Sequence, residues 1–308
     1  MTETYHAVQY TQYGGPEVLG VVELQAPHPG PGEVLVRVRA AGVNPIDWKL
    51  RTGALVAMMP VEFPAVPGGD VAGVVEETGD GVCGLTVGDE VFGSIGSGGY
   101  AELALAPAGQ LARKPEAVSW EVAAALPVAA NTAYQALTDI GLKPGETLVV
   151  DGSAGGVGTV TVQLARRLGA TVIGTSSEHN HEYLRSLKAE PVTYGDGLAE
   201  RIRVLSHKGV DAALDMAGKG SLPALIDVVG GPERVATIAA FNAAELGVRF
   251  VSADTDELPK RLARAAALAA SGELTVPVAG TYSLAEAHEA HRESEGGHVR
   301  GKLVILPG

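Results

Sequence analysis

The sequence predicts an α/β protein with two hydrophobic cores, a β-rich first part followed by a doubly wound parallel sheet. Three observations carry that expectation. Residues 6–120 alternate short runs rich in branched side chains with Gly/Pro turn clusters at 27–32, 79–81 and 97–99, the pattern of a compact barrel-like half. From residue 147 onward, strand-length apolar runs alternate with segments of helical period, which calls for crossover connections between parallel strands. The length of 308 residues is enough for about two domains, each with a core of its own.

Composition removes several functional classes. The chain is 46% hydrophobic and 19% charged, the balance of a well-packed globular protein without long disorder. A net charge of −13 argues against a nucleic-acid surface, which needs a basic face. An anionic ligand must then be held by local groups rather than by the overall field. No apolar stretch is long enough to span a bilayer, and residues 1–10 lack the basic start and apolar core of a signal peptide. The single cysteine, Cys83, rules out an intramolecular disulfide and any Cys-rich zinc site. A reduced, cytoplasmic setting is expected.

Taken in order, strands are expected at 21–24, 34–38, 71–76, 90–92 and 100–105. A helical bridge over 120–138 opens behind Ser119, a good N-cap, and is interrupted at Pro127, with a second run beginning near Asn131. Six strands follow at 147–150, 171–174, 191–194, 210–214, 234–239 and 248–252, with helices at 156–168, 181–188, 197–205, 221–229 and 257–270. The tail adds a helix near 284–291 and a last strand at 302–306.

One stretch organises the second part. Leu148, Val149 and Val150 form a buried strand, and Val157, Val160, Leu164 and Leu168 recur at helical spacing. Between them stand Ser153, Gly155 and Gly158, a G-x-G-x-x-G fingerprint with Ser at its first place. Gly155 would let a pyrophosphate approach the backbone, Gly158 would let helix and strand pack closely, and the helix start offers free N–H groups to phosphate. With a strand before it, a helix after it and a second strand beyond, the fingerprint points to dinucleotide binding.

The β-rich half, the bridge 129–134 (Ala-Ala-Asn-Thr-Ala-Tyr), the glycine turn 152–158 and the closing run 296–302 together resemble the medium-chain dehydrogenase/reductase superfamily, most closely its zinc-free quinone oxidoreductase branch. The resemblance implies a GroES-like catalytic domain over 1–125, a Rossmann-type NADP(H)-binding domain over 126–270 and a return of 271–308 to the catalytic domain, with the active site in the cleft separating them. Zinc-dependent members carry a Cys where Asn44 stands, in the expected loop 42–53, and a His where Gly69 stands; only Asp70 keeps an acidic place. Catalytic zinc needs about three protein ligands, so no metal is expected. His288 and His291, with Glu286 and Glu289, are expected to form a solvated acidic helix face.

The second strand of the nucleotide fold ends in Ser176 and Ser177 with no carboxylate at its tip. An acid there would hold the ribose hydroxyls of NAD and repel a 2′-phosphate, so NADP(H) is expected. By the resemblance, Ser176, Ser177, His181 and Tyr194 line the adenosine end, with Arg185 near, and Gly155, Gly156 and Val157 meet the pyrophosphate. Asn131 and Thr132 open the bridge helix beside the nicotinamide, Ala239, Ala240 and Phe241 approach its face, and Lys302 reaches the cleft from the tail. The catalytic candidates are Asn44 as amide donor, Lys49 as cationic donor and Asp47 as the group that orients them. Met58, Met59 and Phe63 are candidates for the wall of an acceptor pocket.

The expected activity is NADPH-dependent, zinc-independent hydride transfer to a quinone or an α,β-unsaturated carbonyl. Two alternatives stand beside it: an enoyl-thioester or biosynthetic double-bond reductase, and a cofactor-binding protein with a non-catalytic role. Relatives of this branch pair the last strand of the nucleotide domain across a two-fold axis, so 248–252 is the expected homodimer edge.

Overall fold

The computed structural model describes residues 3–252 and 255–308. The first part of the chain forms β1 (Thr4–Gln9), β2 (Gly20–Gln25), β3 (Glu33–Val43), α1 (Pro45–Arg51), β4 (Asp70–Thr78), β5 (Glu90–Ser94), β6 (Leu103–Pro107), β7 (Leu111–Arg113) and α2 (Trp120–Ala125). The middle part forms α3 (Pro127–Asp139), β8 (Thr147–Asp151), α4 (Gly156–Arg167), β9 (Thr171–Ser176), α5 (His181–Ser186), β10 (Glu190–Thr193), α6 (Leu198–Leu205), β11 (Ala212–Asp215), α7 (Leu222–Val229), β12 (Val235–Thr237) and β13 (Arg249–Phe250). The last part forms α8 (Leu258–Ala270), β14 (Val278–Ser283), α9 (Ala287–Gly296) and β15 (Lys302–Leu306). Two compact units result, one of residues up to 128 together with 255–308, the other of 129 to the end of the middle part.

The first unit is built on a seven-stranded sheet in the order β14-β15-β3-β4-β5-β7, with β6 also paired to β3, and a two-stranded ribbon of β1 and β2. This is the expected GroES-like β architecture. Its register carries the site. Leu303 lies opposite Val43 and Val304 opposite Gly42, while Gly42 faces Asp70 on the other side. The end of β3 and the starts of β4 and β15 therefore meet at one corner of the sheet. Helix α2 presses on that corner so closely that a Cβ at Gly42 would stand 2.3 Å from Ala124 O. The expected loop 42–53 is largely helical: Pro45 supplies the first turn with its preset φ, and Asp47 accepts the orphan N–H of Asn44. Helix α9 packs on α1, and α8, which sequence reasoning had grouped with the nucleotide-binding part, lies on β7 in this unit.

The second unit is a six-stranded sheet in the order β10-β9-β8-β11-β12-β13, with every neighbouring pair parallel. The chain starts in the middle, winds outward through β9 and β10, then returns to wind the other way, as a doubly wound fold requires. Leu148, Val149 and Val150 are fully buried, and full burial of such a side chain stabilises by about 1.5–3 kcal/mol. Val160 and Leu164 of α4 are buried as their spacing predicts, but Leu168 is exposed because the helix has ended at its C-cap. A Cβ at Gly158 would stand 2.2 Å from Gly152 O, so the first turn of α4 lies directly on the strand–helix turn.

Candidate functional site

In the first unit the meeting strand ends gather Asn44, Asp47, Asp70 and Lys302 into one buried cluster, at 3%, 4%, 0% and 5% exposure. Lys302 Nζ donates to Val43 O at 2.8 Å and to Asn44 Oδ1. Asn44 Nδ2 donates to Asp70 Oδ2 at 2.9 Å, and Val128 N donates to the same oxygen at 3.1 Å. Asp47 Oδ2 accepts from Asn44 N and from the Tyr100 hydroxyl, each at 2.8 Å. An ammonium has donors only, so it fixes the amide: Oδ1 faces Lys302 and the NH2 faces the carboxylate. Burial pushes the Asp47 carboxyl up to about 6, against the hydrogen bonds from Asn44 and Tyr100. Burial also raises the Asp70 carboxyl, with Lys302 pulling the other way, and lowers the Lys302 ammonium against the pull of Asp70 and Asp47.

The sequence-derived roles change accordingly. Asp47 does orient Asn44, but through the backbone N–H. Lys302, expected to reach a cofactor from the tail, instead uses two of its hydrogen bonds to brace Asn44 and the end of β3. Lys49 stands apart on α1, half-buried, with Nζ 5.7 Å from the Trp48 ring centroid. Its ammonium is lowered by desolvation. Among the three catalytic candidates it is the one with solvent access. Met58 and Met59 are exposed, and Phe63 packs edge-on against Tyr13 with centroids 4.9 Å apart.

Two residues with large roles were missed. Arg51 is fully buried, donates to Gly14 O at 3.2 Å, and is held by Glu295 and by His291 Nδ1 at 3.3 Å. His291 is therefore no part of a solvated face; burial and Arg51 lower it to about 3. Tyr100 closes the cluster from the connection between β5 and β6, far from α1 in sequence. Neither gave a sequence signal, because a lone Arg or Tyr reads as a surface or core residue until its partners are known.

In the second unit the candidates line the C-terminal edge of the parallel sheet. Gly155 is the N-cap of α4, and no side chain caps that helix, so its first N–H groups are unclaimed from within. The turn is locked from the neighbouring strand: Gly152 N donates to Thr175 Oγ1 at 3.1 Å, Ser153 N and Oγ donate to Thr175 O, and Thr175 Oγ1 donates to Asp151. Asp151 is raised by burial. At the β9 tip, Ser176 is buried and its hydroxyl donates to Ser177 O. Ser177 Oγ pairs at 3.0 Å with His179 Nδ1 and not with His181, whose Nε2 is buried without a partner. Tyr194 is exposed in a loop whose carbonyls at Thr193, Tyr194, Gly195 and Asp196 all accept from Arg201. Asn131 and Thr132 lie in the second turn of α3 rather than at its opening, because Pro127 already starts the helix. Ala239 and Ala240 are held by their N–H groups to Thr237 Oγ1, and Phe241 stacks on Phe250 at 6.1 Å.

The fold is that of a two-domain α/β protein with a GroES-like β unit and a doubly wound parallel sheet, and the proteins it is similar to are oxidoreductases. The family model described as the alcohol dehydrogenase GroES-like domain matches residues 30–116, and the one described as zinc-binding dehydrogenase matches residues 187–305. A chloroplast envelope quinone oxidoreductase homolog of Arabidopsis thaliana is 33% identical over 326 residues, covering 98% of each chain. A 2-methylene-furan-3-one reductase of Solanum lycopersicum is 35% identical over 315 residues, covering 98% of this chain and 79% of that one. The structure of the Escherichia coli quinone oxidoreductase complexed with NADPH superposes with a TM-score of 0.87 at 26% identity, covering 98% of this chain and all of that one, 100%. The chain belongs to the medium-chain dehydrogenase/reductase superfamily, in its quinone oxidoreductase branch. No helix among the described residues is long and apolar enough to cross a membrane.

The zinc in one family description can be tested against the residues. No group of three or more His, Cys, Asp or Glu among the described residues is arranged to hold a metal ion. At the places the resemblance assigns to ligands stand a neutral amide, a glycine and one carboxylate, and a side chain added at Gly69 would begin 3.1 Å from Gly96 O. A buried ammonium already sits against the amide. These residues do not fit zinc.

Proposed function

We propose that the protein is an NADPH-dependent, zinc-independent reductase that passes hydride to a quinone or an α,β-unsaturated carbonyl. The observation that carries the reading is a glycine turn at an uncapped helix start, followed by a β9 tip that ends in two hydroxyls, with the exposed Glu178 beyond them and His179 paired to Ser177. The named relatives, a quinone oxidoreductase bound to NADPH and a furanone reductase, support it.

In this reading the first N–H groups of α4 at Gly156 and Val157 would hold the pyrophosphate, and Gly155, whose own N–H goes to Gly152 O at 3.1 Å, would let it approach the backbone. Ser177 with His179 would hold the 2′-phosphate, and Tyr194 would lie along the adenine. Asn131, Thr132, Ala239, Ala240 and Phe241 would flank the nicotinamide. NADPH supplies the hydride when bound. The chain's own part is orientation, exclusion of water and a proton. Negative charge gathers on the acceptor oxygen as hydride arrives at the conjugated carbon, and a cationic donor there lowers the barrier. Lys49 is the donor we assign, and Met58, Met59 and Phe63 offer an apolar wall to a flat acceptor ring. The single exposed Cys83 suits a reducing cytoplasm.

The test is steady-state oxidation of NADPH against panels of quinones, enones and acyl thioesters. Turnover with the first two classes is expected. Tight cofactor binding with no turnover on any panel would overturn the reading. Lys49→Met should lower kcat by roughly 10²-fold and remove the alkaline limb of the pH–rate profile, since activity needs the protonated amine, while Lys49→Arg retains the charge.

A further inference from the structure

The buried ammonium of Lys302 is held by two oxygens. Its hydrogen bonds go to Val43 O at 2.8 Å and to Asn44 Oδ1, and the charges of Asp70 and Asp47 act on it. Asp70 Oδ1 is buried without a well-aligned hydrogen bond, although the Ser94 hydroxyl steadies the carboxylate. Two buried carboxylates without a cation would be costly, because each desolvated charge carries a penalty of several kcal/mol unless it is paired. A carbonyl and an amide oxygen in contact with the ammonium, with two buried carboxylates acting on it from farther off, make surroundings that suit a hard cation.

We infer that Lys302 is the chain's own cation in an oxygen-lined cation site at the meeting of β3, β4 and β15, where metal-dependent members of the superfamily place zinc. The strand β15 brings that cation in from the far end of the sequence. Having only donors, it also sets the Asn44 amide, so that the NH2 points at Asp70 and the N-terminus of α1 is held to the sheet. An added metal ion would be repelled by this ammonium and would find no thiolate or imidazole. The inference concerns a site within the first unit and stands whether or not the proposed acceptor or cofactor is right.

Removing the side chain beyond Cβ should leave a cation site open to a small ammonium ion. The experiment is thermal unfolding of the full-length Lys302→Ala variant titrated with ammonium chloride or methylammonium chloride. Total salt is held constant with tetramethylammonium chloride, which is too bulky to enter. Lys302→Ala should melt below the wild type. Ammonium should raise its midpoint saturably, by about 3–6 °C at ten times the dissociation constant. Wild type and Lys302→Met, in which the space is filled, should show no such rise. If Lys302→Ala does not fold alone, recovery of folded protein on refolding in ammonium or methylammonium supports the inference. It is overturned if Lys302→Ala melts like the wild type. It is equally overturned if neither amine shifts or recovers the variant, or if the controls shift as much.

Discussion

Tyr100 donates its hydroxyl hydrogen to Asp47 Oδ2 at 2.8 Å, inside a core where both side chains are buried. The same oxygen accepts from the backbone of Asn44, so one carboxylate ties the N-terminus of α1 to the sheet.

That carboxylate should be visible in the pH dependence of stability. Its pKa is raised from an ordinary 3.8 to about 6, chiefly by burial. The folded state therefore binds more protons than the unfolded state between those values. Stability from this group is fully present below about pH 3.8 and is lost as pH rises through 6. Two units correspond to roughly 3 kcal/mol. Asp47→Asn keeps acceptors for Tyr100 and Asn44 without the charge. Its stability relative to wild type should thus improve steadily from pH 4 to pH 7, measured by urea denaturation. A difference that stays constant over that window would show that Asp47 is not titrating there.

The two central glycines of the turn should behave differently. A Cβ at Gly158 meets Gly152 O at 2.2 Å and Ser153 Cα at 2.7 Å, whereas a Cβ at Gly155 meets only Gly152 O at 3.4 Å. Gly158→Ala should destabilise the fold by about 1–3 kcal/mol through overpacking. Gly155→Ala should melt like the wild type yet weaken NADPH by tenfold or more, because its methyl stands where the pyrophosphate would approach. Melting curves and fluorescence titration separate the two effects. Normal NADPH affinity in Gly155→Ala would place the phosphates elsewhere.

Cofactor choice should rest on Ser177. Ser176 is buried and already bonded to Ser177 O, so the half-buried Ser177 with the exposed His179 is the phosphate candidate. A charge-assisted hydrogen bond contributes about 1.5–3 kcal/mol, and 1.4 kcal/mol is one decade. Ser177→Asp should weaken NADPH about tenfold or more and improve NADH. His179→Ala should weaken NADPH more than His181→Ala does. Equal affinity of the wild type for NADH and NADPH would sink this assignment.

Association should depend on the outer edge of the parallel sheet. β13 is two residues long and exposed, and its Phe250 stacks with the exposed Phe241. The pair of exposed aromatics, rather than the length of the strand, is what a symmetric partner would cover. Sedimentation at micromolar concentration should report a dimer, and Phe250→Glu should shift it to monomer without lowering the melting point of the monomer. A monomeric wild type would remove the edge from consideration.

Much of this was legible in sequence because it is local. The run of Leu148, Val149 and Val150, the glycines at 155 and 158 and the spacing of Val160 and Leu164 specify strand, turn and helix within a few residues, since backbone sterics and helical period act over that range. That Ser176 and Ser177, and not a carboxylate, end the second strand is likewise a fact of sequence, with the first acid at Glu178. The helix at Pro45 was not recognised, although Asn44, Pro45 and Asp47 form its starting signal, because the run is too short for a hydrophobic period to appear.

Tertiary structure alone decided the rest. Lys302 and Asn44 lie 258 residues apart and Arg51 and His291 lie 240 apart; sheet register brings the first pair together, and the packing of α9 on α1 brings the second. The replacement of His181 by His179 at Ser177 follows from which face of a short turn is buried. From sequence, Lys302 was a cation expected to reach the cofactor from the tail and His291 a surface residue. Burial and pairing made one a brace for Asn44 and the other a neutral partner of Arg51, because the cost of a buried charge is set by neighbours that only the folded chain supplies.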